Sequence, residues 1–240
     1  MAQPTIIGEG TNSKAYQATG TTGSTRTFED IAIPASANTV IFMFGLDTEE
    51  DVQTISSVAF PKGTELFEVD VSSGDRVRPT RLAVYDFSTE GASTDGDFVA
   101  TLGGSVSTAS ILSVFCTDGY VQNLVSGDQQ TSASTGGQTV AYSLNAANTI
   151  MLYTAVRDVD IAGFSFTAGT EIFKTEATGA GINAVAAKET STGSQKLISW
   201  SNTSNADDIT AATITISSQP NPVADINPTG DIISHDIITN

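Results

Sequence analysis

Histidine, cysteine and paired carboxylates are the side chains most often used in catalysis, and this sequence places them poorly for it. The single histidine, His235, lies in a proline-containing stretch. A Ser-His-Asp or Cys-His site needs a histidine held rigidly against its nucleophile, and a histidine-based metal site needs two or more clustered ligands. The one cysteine, Cys116, stands in the apolar run SILSVFCTD, which predicts a buried structural thiol. We therefore predict no catalytic residue, no bound cofactor and no metal site.

Two pairs of aspartates have the i, i+2 spacing that places both carboxylates on one face of a strand. They are Asp95 with Asp97 and Asp158 with Asp160. Glycosidases need only two facing carboxylates, and a β-sandwich can supply them. Both pairs lie near turns in an acidic protein, which favours solvated carboxylates over an active site.

The charge balance limits the partners of the chain. Its 27 acidic and 10 basic residues give a net charge of −17, which repels phosphate backbones and anionic membranes, so we predict neither nucleic-acid nor membrane binding. Arg76, Arg78 and Arg81 form one cluster, interpreted as a loop that balances nearby acids rather than as an anion or partner contact. The acidic stretches 47–51 and 202–208 hold enough oxygens for Ca²⁺ but match no known calcium loop.

Aromatic side chains offer a further candidate chemistry, the stacking of a sugar ring. Trp200 is the only tryptophan and ends the predicted strand KLISWSNT before a polar loop. It is the weak candidate for a glycan contact. The alternative, which we favour, is an aromatic residue of the core or of an interface.

The elements that position these residues occur twice. GTELF (63–67) returns as GTEIF (169–173), ANTVIFMFGLD aligns with ANTIMLYTAVRD, and further apolar segments follow in the same order. The segments are short and rich in branched and aromatic residues, and turn residues separate them, which predicts strands. The continuously apolar TVIFMFGL and TIMLYTAV predict central strands covered on both faces. The glutamate of the repeated motif is interpreted as a solvent-facing strand residue rather than as a twin binding site.

This pattern predicts an all-β fold, an antiparallel β-sandwich or jelly roll of two duplicated halves of about 100 residues each, with very little helix. The expected organisation is an N-terminal extended segment (1–27), a first β repeat (28–119), a second β repeat (120–217) and a C-terminal extended arm (218–240). One sandwich and two tandem sandwiches both remain open. The arm, whose alternative is a disordered tail, could place isoleucines on a neighbouring subunit. These candidate contact residues are Ile226, Ile232, Ile233, Ile237 and Ile238.

With these segments laid out, the chain resembles β-sandwich virion proteins of tailed bacteriophages, marine ones included. The resembling stretches are FEDIAIPASANTVIFMFGLD, SSVAFPKGTELFEV, RLAVYDF and GDFVATL, within a pattern that covers 28–217. The resemblance implies a capsid decoration protein, a fibre or a tail appendage, with no active-site residues. It implies synthesis in the host cytoplasm without a signal peptide, a location in the virion, and contacts with other virion proteins and with copies of itself, often as trimers.

Two other functional classes stay open. A carbohydrate-binding adhesin or receptor-binding module would use Trp200. An exported cell-surface or matrix protein would fold in a calcium-dependent way through its acidic loops. Within the sequence, MAQPTIIGEG lacks the basic and apolar regions of a secretion signal, and no apolar run reaches the length of a membrane span. We therefore expect synthesis in a reducing cytoplasm. Release by lysis, or by a secretion route that leaves no N-terminal trace, stays open.

Overall fold

Strands and turns make up the described part of the chain. The computed structural model describes residues 2–48, 53–71, 79–126, 136–140, 147–158, 164–175, 181–193, 196–202, 209–219, 225–226 and 232–233. Every pair of neighbouring strands within these ranges is antiparallel, and none of these residues lies in a helix. The prediction of an all-β antiparallel fold is confirmed, and the arrangement is consistent with a β-sandwich.

Three main sheets account for most of the strands. The first half of the chain contributes β1 (Ile6–Ile7), β2 (Lys14–Ile33), β3 (Thr39–Leu46), β4 (Ile55–Ala59), β5 (Thr64–Asp70), β6 (Thr80–Asp86) and β7 (Thr94–Thr117). The rest contributes β8 (Tyr120–Ser126), β9 (Gly136–Val140), β10 (Ala147–Asp158), β11 (Phe164–Ala168), β12 (Thr170–Lys174), β13 (Ile182–Thr192), β14 (Ile198–Asn202), β15 (Ile209–Ser217), β16 (Asp225–Ile226) and β17 (Ile232–Ile233).

The order of strands defines the sheets. In the first sheet the order is β1-β7-β3-β6-β5, and both β2 and β4 also pair with β7. The second sheet has the order β12-β13-β10-β15-β8, and the third has the order β11-β14-β9. The two halves are alike in this order, because the first sheet read from its other edge runs β5-β6-β3-β7 and the second runs β12-β13-β10-β15. The duplication itself stays a prediction.

The long strands β2 and β7 curl the first sheet. The first half of β7 pairs with β4 and its second half with β3, while β2 follows it along both halves. The strand bends at Gly103 and Gly104, where the register against β2 jumps. A Cβ on Gly103 would lie 2.5 Å from Oγ1 of Thr54, so only glycine fits this corner without displacing its neighbour. The bend turns the first sheet into a half-barrel with its own apolar interior.

The N-terminal residues belong to this sheet. The sequence predicted an N-terminal extended segment over 1–27. Within it, β1 and the first half of β2 pair with β7, from Lys14 opposite Val114 onward. The stretch KAYQATGTTGSTRT has few apolar anchors, but its β-branched threonines suit a pleated strand. Its place is set by the distant β7, which a local pattern does not reveal. The boundary at residue 27 therefore falls inside β2.

Central strands are buried on both faces, as the continuous apolar runs predicted. All eight residues of β3 are buried, and those of β10 from Ile150 to Val156 are buried as well. Since successive side chains of a strand point to opposite faces, each of these strands supplies two different cores. In β3, Phe42 and Phe44 face the interior of the half-barrel, while Ile41 faces the second sheet.

Three apolar cores result. The aromatic core fills the half-barrel and includes Phe28, Phe42, Phe44, Phe60, Tyr85 and Phe98. The central core lies between the first and second sheets and includes Ile41, Met43, Leu82, Val84, Ile111, Phe115, Ile150, Leu152, Val156, Ile182, Ala184 and Ile214. The outer core lies between the second and third sheets and includes Met151, Tyr153, Phe164, Val185, Ile198 and Trp200.

The central core joins the two halves into one packed body. Phe115 of β7 stacks on Phe173 of β12, with ring centroids 5.4 Å apart. Nε2 of Gln17 donates to the carbonyl of Ile182 at 3.2 Å. Two sheets that share a core in this way form a sandwich, and the arrangement of two tandem sandwiches without a common core does not describe this chain.

The repeated motif builds the same backbone twice. Gly63 and Gly169 have φ values of 71° and 100°, a region that favours glycine. A β-bulge follows in each copy, between Glu65 and Phe67 and at the equivalent place in β12. The motif therefore specifies a turn into a bulged strand. Both of its glutamates are exposed, as the sequence predicted.

Two short strands lie within the C-terminal segment 218–240. β16 and β17 pair with each other, Asp225 opposite Ile233 and Ile226 opposite Ile232, so the chain reverses direction between them. Ile237 and Ile238 lie outside the described residues.

Gly45 provides a test of the shared core. A Cβ on Gly45 of β3 would lie 2.7 Å from Cγ1 of Val156 of β10. We expect Gly45→Ala to lower the free energy of unfolding of the whole chain by about 1–3 kcal/mol through overpacking. Urea denaturation followed by tryptophan fluorescence would measure it.

The matched control is Gly104→Ala, whose Cβ would make an ordinary contact at 3.7 Å with Gln53. The double variant Gly45→Ala with Val156→Ala should lose less than the sum of the two single losses, because the added methyl occupies the space that valine leaves. Equal losses for Gly45→Ala and Gly104→Ala would contradict the packing described.

Candidate functional site

The densest group of ionisable side chains in the described structure lies beneath β4. Glu68 and Arg81 form an ion pair between β5 and β6, and Asp70 accepts a second bond from Arg81 at 3.0 Å. The phenol of Tyr85 donates to Oε2 of Glu65 at 3.2 Å. Glu68 and Arg81 are largely shielded from solvent, while Asp70 is exposed.

Three of these side chains bind the backbone of β4 or of Phe60, the residue that follows it. Nη1 of Arg81 donates to the carbonyl of Ile55 at 2.8 Å. Oε1 of Glu68 accepts from the amide of Val58 at 3.1 Å. The hydroxyl of Tyr85 accepts from the amide of Phe60 at 3.1 Å. We call Glu68, Arg81 and Tyr85 the polar latch, because together they occupy the edge of β4 that faces away from β7.

Burial controls the protonation of the polar latch. Desolvation raises the pKa of Glu68 above its usual value, an effect that the Arg81 guanidinium opposes in part. Desolvation also raises the pKa of Tyr85 to about 12, so the phenol stays protonated and can donate to Glu65. A carboxyl with a raised pKa is typical of acid-base sites. Here, however, its oxygen accepts from a backbone amide, so the arrangement supports attachment of a strand.

Arg26 of β2 is the other buried charge. Its exposed fraction is 1%, and desolvation lowers its pKa. Nη1 donates to the carbonyls of Gly23 and Thr25, and Nη2 donates to the carbonyls of Val106 and Thr108 at 3.0 and 3.5 Å. The guanidinium therefore satisfies carbonyls of both strands where the ribbon of β2 and β7 bends.

Cys116 is buried against Ser13, as the sequence predicted for a structural thiol. Its backbone amide donates to Oγ of Ser13 at 2.9 Å, and the same hydroxyl donates to the carbonyl of Ile7 at 2.7 Å. Desolvation raises the pKa of the thiol to about 12. A protonated thiol is a poor nucleophile.

Trp200 lies in the outer core, with an exposed fraction of 4%. Its ring stacks on Phe164 with centroids 5.1 Å apart and an interplanar angle of 28°. The ring packs as a core aromatic, the interpretation the sequence favoured, and a sugar could stack on it only after the third sheet moved. A glycan contact at Trp200 stays a prediction that this burial does not favour.

The remaining candidates are dispersed. Asp95 and Asp97 are exposed on β7, and Oδ1 of Asp97 accepts from the amide of Asp30 at 3.1 Å. Arg81 is part of the polar latch, whereas Arg76 and Arg78 lie outside the described residues. The sequence-predicted candidates that also lie outside them are Asp160, His235, residues 49–51 and residues 203–208.

The described ranges contain neither a metal-binding cluster nor a membrane-spanning helix. Within those ranges, no group of three or more His, Cys, Asp or Glu residues could hold a metal ion. In the same part of the chain, no helix is long and apolar enough to cross a membrane. The candidate site is therefore the polar latch.

Sequence reasoning missed Arg26 and Glu68, and it considered Tyr85 only as an aromatic on which a sugar ring could stack, whereas its hydroxyl binds Phe60 and Glu65. The burial of Arg26 could have been predicted from the sequence. Arg26 is two residues before the buried Phe28, and side chains two residues apart on a strand lie on the same face. For Glu68 the bulge after Glu65 changes which face of β5 each residue occupies, and no local pattern gives the position of that bulge.

The raised pKa of Glu68 predicts a pH dependence. The folded state binds the Glu68 proton more tightly than the unfolded state, so this residue stabilises the fold increasingly as pH falls. The free energy of unfolding of the wild type, relative to that of Glu68→Gln, should rise between about pH 7 and about pH 4.5. Urea denaturation of both proteins across this range would measure the difference.

The control variant Glu29→Gln removes an exposed carboxylate of β2 and reports how much pH dependence any such loss produces. A difference between wild type and Glu68→Gln that falls with decreasing pH would show that the ion pair with Arg81 outweighs desolvation.

The buried thiol predicts protection from reagents. Cys116 should react with an aromatic disulfide reagent only after unfolding, with a stoichiometry of one thiol per chain, as followed by absorbance. Ser107→Cys on the same strand provides an exposed control that should react at once, because Ser107 is exposed. Rapid labelling of folded wild-type protein would contradict the packing of β7 against Ser13.

Comparisons with known proteins do not identify this chain. No protein-family model, no curated protein and no solved structure matches it. Any function must therefore be argued from the residues and the geometry described above.

Proposed function

We propose that this chain is a non-enzymatic structural subunit of a tailed-phage virion, a capsid decoration or appendage protein on the outer surface. Its partners are other virion proteins and copies of itself, as a homo-oligomer such as a trimer. It contacts neither nucleic acid nor membrane and is located in the virion. The resemblance of the segments within 28–217 supports the proposal, as does a net charge of −17, which suits an outer surface better than one that faces DNA.

The ionisable groups of the described part also fit a structural role. Arg26, Arg81, Glu68 and Tyr85 bind backbone groups of their own chain. An enzyme instead directs such groups towards a cavity where substrate can reach them. Because these side chains are bonded to their own backbone, they serve the fold, as expected of a structural subunit.

The observation on which the proposal depends most is the β16–β17 hairpin. Within the described residues these two strands pair only with each other, after the last strand of the second sheet. Each strand has two residues, and an isolated two-stranded hairpin is at best marginally stable in water. A hairpin of this length therefore needs a further surface to be stable, and we propose that a neighbouring subunit supplies it.

The test is the solution mass of the full chain and of a chain ending at Gln219, measured by light scattering. The carbonyl of Gln219 accepts from Nε2 of Gln122 at 2.9 Å, so this end point keeps the last described contact with β8. We expect the full chain to be an oligomer and the shortened chain to be a folded monomer.

A variant of full length, Ile232→Ser with Ile233→Ser, separates the loss of apolar side chains from the loss of chain. It should reproduce the dissociation, because the hairpin stabilises an interface chiefly through burial of those side chains. A monomeric full-length chain would contradict the proposed contact between the hairpin and a neighbouring subunit, and it would favour the glycan-binding alternative. Unfolding of the shortened chain would place the segment in the core.

A further inference from the structure

β4 is attached to the rest of the first sheet by two different kinds of bond. On one edge it forms a backbone ladder with β7, from Ile55 opposite Leu102 to Ala59 opposite Val99, interrupted by a bulge. On its other edge the backbone groups bind the polar latch, as described above. The side chains of β5 and β6 thus take the place that a neighbouring strand would occupy.

The inner strands β3 and β6 are attached differently. β3 is paired along its length by backbone bonds with β6 on one edge and β7 on the other. β6 is likewise paired with β3 and β5. Separating either strand breaks two ladders, whereas separating β4 breaks one short ladder and three side-chain bonds. The freed groups of β4 and the polar latch would all be accessible to water, which lowers the cost of separation.

Separation of β4 would change the surface considerably. Val58 and Phe60 are buried, and the Phe60 ring lies 5.0 Å from Phe42 and 6.1 Å from Phe87. Without β4, the backbone edge of β7 at Val99–Leu102 would be unpaired on that side. The aromatic core and this edge would be exposed together, and such an edge can accept an added strand.

We propose that β4 is a strap, closed over the aromatic core by the polar latch, that opens as a unit while the central core stays folded. The central core does not depend on β4, because none of its members belongs to that strand. Local opening of this kind has a smaller free-energy cost than global unfolding and exposes less surface. The strap is therefore a conformational device of the half-barrel.

Native-state amide hydrogen exchange, read by NMR at increasing subdenaturing urea, tests this in the full-length protein. In the wild type, the amides of Val58 and Phe60 should exchange with a weak dependence on urea, as expected for local opening. The amides of Met151 and Leu152 in the doubly paired β10 should exchange with the strong dependence of global unfolding.

Tyr85→Phe removes the acceptor of the Phe60 amide and should speed exchange of that amide about tenfold, with Leu152 unchanged. Tyr120→Phe on β8 is the control and should leave β4 unaffected. The strap is refuted if β4 and β10 amides share one exchange free energy and one urea dependence in the wild type. It is also refuted if Tyr85→Phe speeds both strands equally. The wild-type comparison decides the question even if Tyr85→Phe does not fold.

Discussion

Double-sided burial of the central strands is the constraint on which the rest of the structure depends. Since side chains alternate across a strand, a strand covered on both faces must supply apolar residues to two cores at once. The strands that do so include β3, β6, β10, β13 and β15. Each of these five contributes residues to the central core and to one of the other two cores. This requirement keeps the sheets packed face to face across shared cores, and the edge strands are attached to those layers.

Burial on this scale requires every enclosed backbone group to find a partner. Where no neighbouring strand pairs with a backbone group, a polar or charged side chain provides the hydrogen-bond partner. Arg26 binds carbonyls at the bend of β2 and β7, and the polar latch binds β4. An unpaired buried polar group costs more than its hydrogen bond contributes, so these residues are explained by the backbone they satisfy.

The sequence allowed the all-β fold, the central strands and the buried thiol to be predicted, because each depends on a local pattern of residues. TVIFMFGL is apolar at every position, which leaves little alternative to a covered strand. The pairing of residues 14–27 was not predicted, since it joins them to β7 at a separation of up to about 100 residues. The polar latch was missed for the same reason, because it joins three strands and one bulge. The duplication, the oligomer and the virion role stay predictions.

The central core is shared by both halves of the chain, whereas the aromatic core and the outer core each belong to one half. This division has a consequence for how the protein can evolve. A substitution in the aromatic core or in the outer core changes packing within only one half of the chain. These two cores differ in composition, because the aromatic core is rich in phenylalanine and the outer core mixes alanine with tyrosine and tryptophan. A substitution in the central core is felt by both halves, as the close approach of Gly45 to Val156 illustrates. Positions of the central core should co-vary across the two halves among related sequences, while the aromatic core and the outer core diverge independently.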